Sequence, residues 1–245
     1  MARQRERTVT VLSIVITLVL IAAFVVFSNS PISLRVRTLV GLDDRLRPAV
    51  EATDGAGSFA FLFTQEGTNQ PVGFNPCRTI PYVVNPRDAP DGWKPLVDSA
   101  IAEVSDRTGL EFDDRGTTSD RGFSERLTGS GPEPVIIAWA DSDEVAGLAD
   151  DVAGLGGPTM VELAGRRAYV TGSVVLDTET TDRLAAEPGG DQRQLALLLH
   201  ELGHLVGLDH VDDRGELMYP RSAARTTYGA GDLTGLAELG AIPCG

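Results

Sequence analysis

Residues His200-Glu201-Leu202-Gly203-His204-Leu205-Val206-Gly207-Leu208-Asp209-His210 constrain this chain more than any other stretch. They contain all 3 histidines of its 245 residues. Residues four apart on an α-helix share a face, so His200 and His204 present two imidazoles to one ion. Glu201, one step round, reaches a water held by that ion. Gly207 lets the chain leave the helix sharply, because glycine takes positive φ without steric cost. That turn returns His210 as a third nitrogen ligand. Three protein ligands and one open position are the pattern of a catalytic zinc, not of a closed structural one.

The flanking residues support a rigid helix. Pro188-Gly189-Gly190 is a break, and Asp191 stands three residues before Gln194 in a capping-box-like start. The spacing predicts a helix over 192–206 with Leu195, Leu198, Leu199, Leu202 and Leu205 on its buried side. A polar segment follows His210, then Glu216-Leu217-Met218-Tyr219-Pro220, then a short helix from Gly231-Asp232 to about Leu239.

The N-terminus sets the context. Residues 1–8 are basic, with Arg3, Arg5 and Arg7. Val9 to Phe27 is then 19 residues without a charge, nearly enough as a helix to span a ~30 Å hydrocarbon core. The run exceeds a usual secretory h-region and no A-x-A follows it, so it reads as an uncleaved signal anchor. The positive-inside rule leaves the N-terminus cytoplasmic and the rest outside; cleavage would instead release a secreted domain. Residues 28–57 read as a stalk and 58–245 as one domain. Of 21 basic and 35 acidic residues, three and one precede the anchor, leaving 18 against 34, a net of -16. Such a surface repels phosphate backbones and argues against nucleic acid as a partner.

Within the domain, Phe59–Phe63 and Pro71–Phe74 bracket Gly67-Thr68-Asn69 as a hairpin. Ile80–Val84 reads as a strand, and Asp91 as the N-cap of a helix to about Arg107. Residues 113–134 are polar and glycine-rich, hence loop. Strands are expected at Val135–Ala140, Pro158–Leu163 and Ala168–Asp177, with Gly154–Gly157 open to an all-turn reading. Cys77 and Cys244, near the two ends of an extracytoplasmic domain, suggest a disulfide. A Cys77 thiolate capping the metal is the alternative.

The eleven-residue motif, with Met218 eight residues after the last histidine, resembles the metzincin metallopeptidases. Within that clan Glu216–Pro220 resembles the matrixin Met-turn. The resemblance spans about 77–243 and is specific over 195–220. It implies an α+β zincin fold: a twisted mixed sheet, a long helix and an active-site helix, here preceded by one transmembrane helix. It implies one zinc ion on His200, His204 and His210, with Glu201 as general base and acid for hydrolysis of a peptide or protein substrate. Met218 would underlie the metal, and Pro220 to about Thr227, with Tyr219, would wall the pocket beyond the scissile bond. An edge strand in Gly156–Leu163 would pair with an extended substrate.

The chain departs from the family in two respects. No histidine remains for a second, structural zinc. Asn75-Pro76-Cys77-Arg78 matches the cysteine-switch propeptide only in a Pro before a Cys. Calcium at acidic loops (Asp113, Asp114, Asp177, Asp182) has no loop pattern behind it, and solvated carboxylates are the plainer reading. Two further functions fit the same residues: an idle zinc-containing binding or scaffold domain at the cell surface, and a zinc hydrolase of cell-wall peptides.

Overall fold

A computed structural model describes residues 16–17, 19–24, 45–52, 55–124, 126–163, 165–221 and 225–244. The chain divides into two units, Met1–Arg45 with Pro243–Gly245, and Leu46–Ile242. In the first, residues 16–17 and 19–24 are helical. The remainder of the expected anchor, and residues 28–44 and 53–54 of the expected stalk, lie outside the described residues. No helix among the described residues is long and apolar enough to cross a membrane.

The second unit is a mixed α+β fold. Its strands are β1 (Ala60–Phe61), β2 (Ile80–Asn85), β3 (Phe112–Thr117), β4 (Leu127–Thr128), β5 (Gly131–Pro132), β6 (Val135–Ala140), β7 (Gly154–Leu163), β8 (Arg166–Asp177) and β9 (Leu208–Asp209). Its helices are α1 (Trp93–Thr108), α2 (Thr178–Ala185), α3 (Gly190–Val206) and α4 (Ala230–Gly240). The main sheet has the order β3-β2-β6-β8-β7. Its first four strands are parallel and β7 is an antiparallel edge.

β6 is buried along its whole length, which is why it reads as a continuous apolar run rather than an alternating one. Val135, Ile137 and Trp139 join the main core with residues of α1, α3 and α4. On β6 and β8, Ala140 and Val175 form a smaller cluster with Leu148, against which Phe123 and Val145 pack. The site therefore rests on a sheet whose central strands are covered on both faces.

Several expectations change at their edges. α1 starts from Gly92, in the left-handed region at φ 82°, with no side-chain cap; Asp91 does not cap it. It ends at Gly109, φ 69°, whose N–H bonds the Ser105 carbonyl. The expected loop 113–134 holds β3 and the small β4–β5 pair. β3 is mostly exposed and carries Asp113, Asp114 and Arg115 at the sheet edge, so its hydrophobic signal is faint. α2 was not anticipated. Asp177 accepts from Thr180 N–H at 2.7 Å and so caps it.

Residues 63–72 do form a hairpin, with Val72 N–H to Phe63 O at 2.9 Å and Gln65 N–H to Gln70 O at 2.8 Å. The segment before it pairs elsewhere: β1 lies antiparallel to β9, with Ala60 opposite Asp209 and Phe61 opposite Leu208. The second unit also takes in Leu46–Gly57, assigned above to a stalk. Arg47 bonds Asp106 on α1 at 2.7 Å.

The largest change is at Gly154–Gly157, which is strand, not turn. Glycine is needed there because α3 lies flush against β7. A Cβ at Gly156 would stand 2.7 Å from the carbonyl carbon of Glu201, and one at Gly154 would stand 2.9 Å from Glu201 Cγ. Gly157, by contrast, has nothing within 4 Å of its Cβ position. Gly156→Ala is expected to cost about 1–3 kcal/mol by overpacking, while Gly157→Ala stays near neutral. Thermal melts of the two variants check this; equal melting temperatures would remove the packing argument.

Candidate metal centre and catalytic carboxylate

Helix α3 delivers the first two histidines and stops where it must. Gly207 at its C-cap has φ 124°, and its N–H bonds the carbonyls of Gly203 and His204. The chain then runs into β9, where β1 and a bond from Leu62 N–H to Gly207 O at 2.9 Å hold it. That pairing aims the backbone so that His210 returns over the helix.

The three rings converge. Nε2 of His210 lies 3.1 Å from Nε2 of His200 and 3.1 Å from Nε2 of His204. Their ligand atoms all lie within 4.8 Å of one another, the one grouping of three or more His, Cys, Asp or Glu ligands found among the described residues. Nδ1 of His200 donates to the Leu217 carbonyl at 2.7 Å, and Nδ1 of His204 to the Leu208 carbonyl at 2.8 Å. Those bonds place the proton on Nδ1 and leave Nε2 as the lone-pair donor. Nitrogens about 2.0–2.1 Å from a tetrahedral zinc sit roughly 3.3 Å apart. The donor set, its tautomers and its spacing all fit a zinc ion.

Protonation is held off the triad. Burial, then the neighbouring His204, push His200 down to about 4. His204 and His210 are also lowered, chiefly by burial. Glu201 moves the opposite way. It is 4 % exposed, and burial pushes its carboxyl up to about 8 against a backbone hydrogen bond from Gly156 that lowers it. That is the value of the metal-free site; a divalent zinc beside the carboxyl would favour its ionised form, the form that takes a proton.

A pH dependence follows for the metal-free protein. Glu201 titrates near 8 when folded and near 4.3 when unfolded. Above 4.3 the unfolded state sheds that proton first, so stability falls as pH rises and levels off past 8. The three histidines work the other way: lowered when folded and near 6.5 when unfolded, they are still partly protonated only in the unfolded state at pH 6.5, so their titration raises stability as pH climbs toward 8. The Glu201 contribution across that window is a loss of about 1.5 kcal/mol, read as the difference between wild type and Glu201→Gln, which share the histidine contribution. Urea melts of the chelated protein at the two pH values measure it.

Met218 is 1 % exposed and lies against the zinc helix; a Cβ on Gly203 would stand 2.6 Å from its sulfur. Tyr219 is half-buried, with the Arg214 guanidinium 5.5 Å from its ring centroid. Pro220 is exposed. Of the expected pocket wall, residues 222–224 lie outside the described residues. Cys77 and Cys244 are both disulfide-bonded, so neither thiolate is left to cap the histidines. Asp113 and Asp114 sit in β3 and Asp177 caps α2.

Sequence reasoning missed three residues that brace the site. Tyr228 donates to the Leu199 carbonyl of α3 at 2.6 Å from full burial. Asp232 accepts from Leu217 N–H at 2.5 Å and from Gly229 N–H at 2.9 Å. Glu216, 2 % exposed, accepts from Gly231 N–H and Asp232 N–H at 3.0 and 2.9 Å. The signal available was the spacing: two acids flanking an apolar Met-turn and opening the last helix.

Three histidines from a helix and its following turn, with a buried carboxylate beside them on an α+β scaffold, define the class of the zinc metallopeptidases. Within that class the chain is metzincin-like. The matrixin family model matches residues 132–239, which run from β5 through α4 and include the histidines and Met218. Among solved structures, the chain is similar to an archaemetzincin from Methanopyrus kandleri, at 16% identity over 64% of this chain and 86% of that one, with a TM-score of 0.39. No curated protein matches it in sequence.

Proposed function

We propose that the chain is a zinc-dependent endopeptidase, held at a membrane by residues 9–27 with its catalytic domain outside the cytoplasm. The observation that carries the reading is the buried Glu201 carboxylate on the same helix turn as two of three convergent imidazoles. A structural zinc site has no use for that carboxylate. Zinc, when bound by His200, His204 and His210, supplies a Lewis acid that acidifies water and polarises a carbonyl.

The protein's own groups do the rest. The Nδ1 bonds to Leu217 and Leu208 hold the imidazoles in the ligating tautomer. Glu201 accepts a proton from the attacking water and delivers it to the leaving amine. β7 is the sheet's antiparallel edge and runs past Glu201 at Gly154 and Gly156. Among the described residues no strand pairs with its outer edge, which can take an extended peptide as a further strand. Tyr219 and Pro220, following Met218, begin the wall of the pocket beyond the scissile bond.

Cleavage of a proteome-derived peptide library by the full chain, with a chelated control, tests the proposal and reads the specificity. Chelator-sensitive cuts at internal bonds are expected. A zinc-loaded chain that cuts nothing would favour the idle scaffold domain, and cuts confined to cell-wall peptides the narrower hydrolase.

A further inference from the structure

Glu216 is a buried carboxylate with no cationic partner among the described residues. Its two oxygens accept the N–H groups of Gly231 and Asp232 in the first turn of α4. The helix dipole favours a carboxylate there. Space is left for it by glycines: a Cβ on Gly229 would stand 2.7 Å from Glu216 Cδ, and one on Gly57 would overlap Glu216 Oε1.

The bonds continue in one direction. Asp232, whose backbone Glu216 holds, turns its own carboxylate back onto the N–H of Leu217 at 2.5 Å and of Met218 at 3.4 Å. The Leu217 carbonyl, on the same peptide as the Met218 N–H, accepts the Nδ1 proton of His200. Glu216 and Leu217 are adjacent, so the path closes on itself: Glu216 to α4, α4 back to Leu217, and Leu217 to the ligand.

We propose that Glu216 is a positioning residue for the metal centre, fixing the His200 tautomer and ring angle through Asp232 and the Leu217 peptide. The inference rests on the zinc reading of the triad. Without the Glu216 carboxylate, the first turn of α4 loses its acceptors and Asp232 loses its backbone anchor. The Leu217 peptide is then free to tilt, and its carbonyl leaves the Nδ1 proton. Loss of such an outer bond on a ligating histidine typically weakens metal binding 10–100-fold. The competing reading is that Glu216 only caps α4 and matters to stability alone.

The test compares wild type, Glu216→Ala and Glu216→Gln as full chains. Zinc Kd is measured by competition with a chelator, and the visible spectrum is recorded after Co2+ substitution. Glu216→Ala is expected to raise Kd about 10-fold or more and to shift the Co2+ bands. Glu216→Gln keeps one acceptor oxygen and falls between the two; it decides the matter if the alanine variant does not fold. A variant that melts earlier without metal but keeps wild-type Kd and Co2+ bands overturns the proposal and leaves a helix cap. A wild type whose zinc binding is unaffected by His200→Ala overturns this proposal and the zinc reading together.

Discussion

Glu201→Gln is expected to lower peptide turnover by about 10²–10⁴-fold with zinc still bound, the range general acid–base groups contribute. The substitution keeps the shape of a side chain that is 4 % exposed and wedged against Gly154 and Gly156, so the fold tolerates it. What disappears is the buried carboxylate beside the triad that can take a proton. Because that carboxyl is buried beside the triad, the amide removes a positioned base rather than a surface charge. KM should change little, since Glu201 acts on the water and not on substrate binding. Steady-state kinetics with metal content measured on the same samples check both halves. Full turnover with zinc retained would remove Glu201 from the reaction.

His210→Ala, or chelation of the wild type, is expected to abolish turnover and destabilise the domain together. His210 is the exposed member of the triad and the only one not on α3. Its loss leaves two imidazoles, 3.1 Å from where the third stood, too few to hold zinc against a chelator. Metal that binds only the folded state stabilises by mass action, about 4 kcal/mol at free zinc 1,000 times Kd. Melting temperature should therefore rise with added zinc in the wild type and stay flat in His210→Ala. A zinc-dependent shift of equal size in the variant would place the ion elsewhere.

The metal site was legible because its chemistry is local. A helix period, a glycine turn and three histidines lie within 11 residues, and the spacing alone brings the rings together. β6 and α1 were legible too, since each has a strong apolar pattern. The polar parts were not. β3 reads as loop because its side chains are mostly exposed and its pairing with β2 is made by backbone. Gly154–Gly157 is open to a turn reading because four residues with three glycines carry no side-chain period. Only the closeness of α3 explains why they are glycines. The brace of Glu216, Asp232 and Tyr228 depends on contacts across 15 to 29 positions, and no local pattern reports such distances.

The short ladder of β1 against β9 has a consequence for the newborn chain. Ala60 and Phe61 leave the ribosome long before Leu208 and Asp209, their partners in register. Contacts so far apart in sequence form late, after the intervening loop entropy has been overcome. His210 is set only when that ladder closes. During synthesis, then, His200 and His204 are in place before the ladder that sets His210, and the triad is the last part of the domain to be completed.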